Sequence, residues 1–139
     1  KRTVRVVLFT NEENGLRGGK GYFDAHGKEK HAGAIEADFG AGAPRGFTMK
    51  VPPELGEKAR GWMPLFAGGG VTELKDGHTD SDISPLEEQG TPCFGLVPDG
   101  SRYFDVHHSQ ADTIDKIDPT YLQKNSAALA LMAYLLAER

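Results

Sequence analysis

The sequence predicts an α/β domain, because short runs of β-branched and apolar residues alternate with segments of helical pattern. The first run, Val4–Thr10, is almost continuously apolar, and the last segment, Pro119–Glu138, carries apolar residues at helical spacing. The length of 139 residues fits a single domain and is enough for one hydrophobic core. We therefore expect one α/β unit over residues 1–139.

The first half of the chain is expected to contain three strands and two helices. Val4–Thr10 has the pattern of a strand that is covered on both faces of a sheet. A helix is expected over about Leu16–His26, although its glycines weaken the pattern. Strands follow over Ala32–Asp38 and Gly46–Val51. A helix opened by Pro52-Pro53 then runs to about Phe66, since proline is tolerated in a first helical turn.

The second half of the chain is more irregular. Short strands are expected at Val71–Leu74 and Thr91–Val97, with a helical turn at Pro85–Gln89 between them. Residues 98–118 form a long polar loop, and such loops in a compact domain are usually functional or disordered. Asp118-Pro119 then supplies a cap and a first-turn proline for the last helix. Its apolar stripe is expected to be Leu122, Leu129, Met132 and Leu136.

The composition argues against several classes of protein. With 16 Lys and Arg against 20 Asp and Glu, the net charge is −4, whereas a general nucleic-acid binder usually has a basic excess. The single cysteine cannot form an internal disulfide. No apolar run approaches the roughly 18 residues that span a bilayer. The chain begins at Lys1 without a signal-peptide pattern, and we expect it to be cut from a longer protein.

Acids and imidazoles follow the expected strands. Glu12-Glu13 come after the first strand, Asp38 closes the second, and His107-His108 follow the last. Sites in α/β sheets lie beyond the carboxyl ends of strands, so these side chains are expected to meet. One carboxylate of such a set can bind zinc while another accepts a proton. Solvated loop residues are the favoured interpretation of each feature when it is taken alone, and the spacing of all three together leaves both interpretations open.

Longer motifs carry a resemblance to a known family. Thr10–Gly18 resembles the T-x-E-E-x-G-L-x-G segment of the co-catalytic zinc exopeptidases, which include bacterial leucine aminopeptidases and carboxypeptidase Q. Ile35–Asp38 resembles that family's strand ending in an aspartate ligand. Asp82–Leu86 followed by Gly90–Leu96 is similar to its D-I-S-P-L … G-x-P-x-F-G-L stretch. Asp99–Lys116 resembles the carboxypeptidase Q signature around the last zinc ligand, so the match runs in order through most of the chain.

The resemblance implies a fold and a set of roles. The fold would be a three-layer αβα sandwich around a mostly parallel or mixed sheet, with residues 1–139 as the C-terminal part of a catalytic domain. Glu12 would be the general base and Glu13 a zinc ligand. Asp38 would bind the other zinc, and His108 would be the last ligand of this set.

Four further residues receive weaker assignments from the resemblance. Asp82 would contact the substrate amine or support the ligands, and Asp112 would brace the loop. His107 would be a neighbour of the ligand His108. Tyr103 could donate a hydrogen bond to a developing oxyanion, although a packed aromatic side chain is the favoured interpretation.

The family has two more ligands, a histidine and a metal-bridging aspartate, in a segment that precedes Val4 and is absent here. The implied function is a zinc-dependent exopeptidase (an aminopeptidase, dipeptidase or carboxypeptidase) that cleaves peptides or dipeptides through a metal-bound hydroxide. The isolated chain would then be inactive. The resemblance alone suggests export, and it leaves homo-oligomerisation open.

Two alternatives remain within the same fold. A non-catalytic receptor or binding domain is less favoured, because Glu12, Glu13, Asp38 and His108 are all retained. A one-zinc glutaminyl cyclase fits less well with the stretches Asp82–Leu86 and Tyr103–Lys116.

Overall fold

The elements of the chain alternate between helix and strand in a computed structural model that describes residues 2–40 and 42–139. Most expected elements are confirmed with shifted ends, while one strand and part of one helical stripe are not. Single turns of 3-10 helix occur at Ala67–Gly69, Tyr103–Asp105 and Ile114–Lys116. The longer elements are α1 (Arg17–His26), β1 (Ala34–Glu36), β2 (Pro44–Lys50), α2 (Pro53–Phe66), β3 (Glu73–Asp76), α3 (Ser84–Glu88), β4 (Cys93–Pro98) and α4 (Pro119–Glu138).

The four strands form one mixed sheet in the order β1-β4-β2-β3. β1 runs parallel to β4, and β2 runs parallel to β3, but β2 is antiparallel to β4. The carboxyl ends of β1 and β4 therefore point to one end of the sheet, and the carboxyl ends of β2 and β3 point to the opposite end. This topology brings Asp38, which follows β1, and the long loop after β4 to the same place.

Helices cover both faces of the sheet. Successive strand residues point to opposite faces, so Phe94 and Leu96 face one layer while Cys93 faces the other. The first face packs against α2 and α4 through Ala59 and Met132. The second packs against Ile83 and Leu86 of the α3 region, with α1 beside them. The arrangement confirms the expected three layers, and Cys93 is fully buried.

The last helix begins as expected but buries a different stripe. The Asp118 carboxylate accepts hydrogen bonds from the backbone N–H groups of Thr120 and Tyr121, which caps α4. The expectation that Leu122 is buried is wrong, because it is 49% exposed. Asn125 lies in the buried face instead, where its amide donates to the Gly42 carbonyl at 2.9 Å. Among the helices that the structure describes, none is long and apolar enough to cross a membrane.

The expected strand at Val4–Thr10 is not formed. Residues 3–10 have no strand assignment, and Val6 and Leu8 are 85% and 89% exposed. The segment runs beside β1 across a groove of about 1140 Å³ instead of forming a ladder with it. An apolar run becomes a strand only where its backbone groups find a partner, and no strand among the described residues pairs with this one. β1 is therefore an edge strand.

Candidate functional site

A tight turn between the first segment and α1 carries Glu12 and Glu13. The Glu12 carbonyl accepts hydrogen bonds from the N–H groups of Gly15 and Leu16 at 3.1 and 2.8 Å. The backbone is left-handed at Asn11 (φ 60°) and Leu16 (φ 58°), on either side of the two glutamates. A bulky residue such as Leu16 rarely adopts this conformation, and strained residues of this kind cluster at functional sites. The turn thus fixes where the two carboxylates lie.

Glu13 meets His108 across the site. The Oε1 atom of Glu13 contacts the Nε2 atom of His108, and both side chains are exposed to solvent. His108 lies in the loop after β4 and is itself left-handed, with φ at 54°. Asn11, Leu16 and His108 are the non-glycine residues with positive φ in the part of the chain that the structure describes, and all three border this contact.

Stacked rings connect the loop after β1 to His108. Phe39 stacks on Tyr103 with ring centroids 4.2 Å apart, and Tyr103 stacks on His107 at 4.4 Å. His107 in turn stacks on His108 at 3.7 Å. His107 is therefore held between two rings, while the Nε2 atom of His108 faces Glu13. The placement suits the expected roles of ligand for His108 and neighbour for His107, and these roles stay predictions.

Four of the carboxylates that the sequence singled out act electrostatically on Tyr103. Desolvation raises the pKa of the Tyr103 phenol, and the negative charges of Asp38, Glu13, Asp112 and Glu12 raise it further. These four acids come from three separate parts of the chain. The acids that follow the expected strands and the loop after β4 therefore act on the same hydroxyl, and their roles in one site stay a prediction.

Asp82 lies behind this cluster rather than in it. The residue is 7% exposed, and burial raises the pKa of its carboxyl, to which the charge of Asp38 adds. Its Oδ1 atom has no hydrogen-bond partner within the described structure. It lies beside α1, since a Cβ atom placed on Gly19 would be 3.0 Å from it. The expected role of Asp82, as a substrate contact or a support, stays a prediction.

Sequence reasoning missed two acids beside Asp82. Glu36 of β1 is 7% exposed and accepts hydrogen bonds from the backbone N–H groups of Asp82 and Ile83. Burial raises the pKa of Asp80 to about 7, and the charges of Glu36 and Asp38 act in the same direction. The alternation of β1 was a usable signal for Glu36, since it lies on the sheet face opposite Ile35.

The side chains at this site are of the types that bind zinc, but too few of them lie together to hold one ion. Carboxylate oxygen and imidazole nitrogen are both zinc ligands. Within residues 2–40 and 42–139, however, no three His, Cys, Asp or Glu side chains are placed to hold one ion. Glu13 and His108 meet as a pair of donors. Asp38 lies separately, just beyond the end of β1.

Comparison with known proteins agrees with this arrangement. The sequence profile of peptidase family M28 matches residues 1–133. Carboxypeptidase Q of Xenopus laevis is 33% identical over 99% of this chain, and that of Homo sapiens is 31% identical over the same share. In both cases the chain spans 30% of the relative's length.

A solved structure shows the same fold. The crystal structure of a peptidase M28 precursor from Shewanella amazonensis matches 94% of this chain with a TM-score of 0.83 and 37% identity. The chain spans 30% of that protein as well. The family profile covers nearly the whole sequence, and the structural match agrees with it in fold and in family. The chain therefore belongs to peptidase family M28.

Proposed function

We propose that the chain is the C-terminal part of the catalytic domain of a zinc-dependent exopeptidase, which removes a terminal residue from peptides or dipeptides. The observation that carries the proposal is the placement of Glu13, from the turn before α1, against His108, from the loop after β4. The carboxypeptidase Q relatives and the family profile favour peptide-bond hydrolysis over other reactions of this fold.

Glu12 is the proposed general base. It is half-buried in the turn that holds Glu13, and hydrogen bonds to its backbone carbonyl hold it next to the proposed ligand in the chain. In this role it takes a proton from the attacking water and returns it to the leaving amine. Zinc, when bound, would polarise the scissile carbonyl and make water more acidic. Tyr103 would donate a hydrogen bond to the developing oxyanion in this proposal, and its raised pKa keeps the hydroxyl protonated.

The proposed ligands of this chain are Glu13, Asp38 and His108, divided between two zinc ions as in the resemblance. Catalytic zinc usually has three protein ligands, and the described residues assemble no such group. The remaining donors would come from segments of the longer protein that are not part of this chain. On this proposal the isolated chain is inactive.

Two further proposals concern the setting of the enzyme. Export from the cytoplasm is supported by the resemblance and by the description of the Shewanella amazonensis relative as a precursor. Peptides are the proposed substrates, and the acidic net charge of −4 argues against a nucleic-acid partner. The unpaired edge of β1 could pair with a second copy of the chain, so a homo-oligomer is compatible with the fold.

The proposal is tested by Glu12→Gln in the full-length protein. The amide keeps the shape of the side chain but cannot accept the proton, so kcat for a dipeptide should fall by about 100-fold or more. Zinc content, measured by elemental analysis on the same samples, should be retained. Glu57→Gln on the exposed side of α2 is the matched control, and it should change neither quantity.

Each outcome of this experiment has a defined meaning. A Glu12→Gln variant that keeps most of its rate would show that Glu12 is not the base. A wild-type protein that binds zinc but hydrolyses no dipeptide or longer peptide would favour the non-catalytic alternative.

A further inference from the structure

The segment Thr79–Ile83, which we term the crossing loop, passes over the face of the sheet. It follows β3 in the chain, leads to the start of α3 and lies directly on Gly95 of β4. A Cβ atom on Gly95 would be 1.8 Å from the Thr79 carbonyl oxygen, so only glycine allows this approach. The loop thus passes from β4 to the neighbouring edge strand β1.

Two buried glutamates hold the crossing loop, one at each end. At its start, Glu87 accepts hydrogen bonds from the Thr79 hydroxyl at 2.7 Å and the Thr79 N–H at 3.3 Å. At its end, Glu36 accepts hydrogen bonds from the Asp82 N–H at 3.1 Å and the Ile83 N–H at 2.9 Å. Glu87 also pairs with Lys50, whereas no cation pairs with Glu36 in the described residues.

The crossing loop supports the first turn of α1. A Cβ atom on Gly19 would be 2.5 Å from the Asp82 carbonyl oxygen, so the two backbones are in direct contact. On the other side of the same turn, the Gly18 N–H donates to the Thr10 carbonyl at 2.9 Å. α1 begins at Arg17, directly after the turn that carries Glu12 and Glu13. The position of Asp82 therefore limits where that turn can lie.

We propose that Glu36 is a positioning residue of the peptidase site. Its carboxylate joins β1, which leads to Asp38, to the crossing loop, which supports α1 behind Glu13. The distance between the segment that holds Asp38 and the segment that holds Glu13 then depends on the two hydrogen bonds that Glu36 accepts. This inference rests on the proposed function for its catalytic consequence, but the mechanical link between Glu36 and α1 stands independently of it.

The chemistry of Glu36 favours this role over simple packing. A buried carboxylate is costly unless hydrogen bonds compensate it, and an apolar side chain would fill the same space without that cost. Both oxygens of Glu36 are used on adjacent backbone N–H groups, which fixes the direction of the loop as well as its distance. The glutamine variant keeps one acceptor and places an NH₂ group against the other N–H, so the loop must move.

The experiment compares Glu36→Gln with Glu87→Gln in the full-length protein. The two variants make the same chemical change at the two ends of one loop, and Asp82, at the end held by Glu36, is the residue that lies against Gly19 of α1. Hydrogen exchange should become at least about tenfold faster at the amides of Gly18 and Lys20 in Glu36→Gln, and it should stay unchanged there in Glu87→Gln. Thermal unfolding of both variants measures the general loss of stability.

Steady-state kinetics on a dipeptide provide the second measurement. Losses of residues that orient metal ligands typically cost about 10- to 100-fold, so Glu36→Gln should lower kcat by that factor with KM nearly unchanged. Glu87→Gln should leave kcat close to the wild-type value, even where it lowers thermal stability as much as Glu36→Gln does. If Glu36→Gln does not fold, Glu36→Asp, which retains the charge but is too short to reach both amides, replaces it in both measurements.

The outcomes separate this inference from the proposed function. Unchanged exchange at Gly18 and Lys20 in the Glu36 variant, or equal changes in both variants, would overturn it. Loss of α1 protection only in the Glu36 variant, with a matching fall in kcat, would support it. A wild-type protein without peptidase activity would refute the proposed function, while the exchange data would still decide the link between Glu36 and α1.

Discussion

The Nε2 atom of His108 contacts the Oε1 atom of Glu13, although 95 positions separate the two residues. Each lies beside or within left-handed backbone: His108 itself has a φ of 54°, and Leu16, which ends the turn after Glu13, has a φ of 58°. Such conformations persist only where the surrounding structure enforces them. The two loops are therefore built to present these side chains to each other.

The two histidines should respond differently to substitution. His108→Ala in the full-length protein should lower zinc content strongly, because a proposed ligand is removed. His107→Ala should lower it less, since that ring stacks between Tyr103 and His108 and supports the ligand without facing Glu13. Elemental analysis after dialysis against a weak chelator measures both. Equal zinc loss in the two variants would contradict the assignment of His108 as the ligand.

The 139-residue chain alone should bind zinc weakly and hydrolyse no peptide. Only the Glu13 and His108 donors meet directly, and no group of three donors surrounds a single point in the described structure. An ion held there would keep several waters and be removed easily by a chelator. Calorimetric titration with zinc and a dipeptide assay test this directly. Tight binding of two zinc ions per chain with turnover would refute it.

Local sequence signals predicted most of the elements, and the exceptions have a common cause. The Asp118 cap and the proline-opened helices depend on neighbouring residues, so their positions were readable. Val4–Thr10 depends on a distant pairing partner, and its apolar pattern could not show that none of the described strands provides one. Asn125 is buried because the Gly42 carbonyl lies opposite it, which no helical periodicity reveals.

The residues of the candidate site also fall into those that local sequence reveals and those that depend on distant contacts. Glu12, Glu13, Asp38 and His108 were identified because they lie in motifs that resemble those of a known family and that follow expected strands. Glu36 and Asp80 were missed, since their importance arises from the crossing loop that Gly95 admits over the sheet. A sequence shows that a glycine is present, but not which backbone approaches it.

The glycines of α1 should respond in opposite directions to alanine substitution. Gly19→Ala should destabilise the full-length protein by about 1–3 kcal/mol, because its Cβ would overlap the Asp82 carbonyl. Gly21→Ala should stabilise it by roughly 0.5–1 kcal/mol, since nothing lies within 4 Å and alanine favours the helix. Denaturant unfolding of both variants measures the difference. A Gly19→Ala variant that is as stable as wild type or more stable would show that α1 does not pack on the crossing loop.

The raised pKa of Asp80 should give the metal-free full-length protein a distinctive pH dependence. Burial, and then the charges of Glu36 and Asp38, raise this pKa from 3.8 to about 7 in the folded state. The folded protein therefore binds a proton at Asp80 that the unfolded chain has already lost. Between about pH 4 and pH 7 the contribution of Asp80 to stability falls as pH rises, and above pH 7 it is constant.

Asp80→Asn should remove this dependence. The variant should match wild type near pH 4 and be more stable at pH 8 by about 1–3 kcal/mol, a value reduced from the full shift because Asp80 is partly exposed. Urea unfolding at several pH values measures the difference. Asp24→Asn removes a carboxylate at an exposed position of α1 and is the control, and it should not reproduce the growing difference from wild type. A stability difference for Asp80→Asn that does not grow between pH 4 and pH 8 would show that the carboxyl is ionised throughout and that its surroundings accommodate the charge.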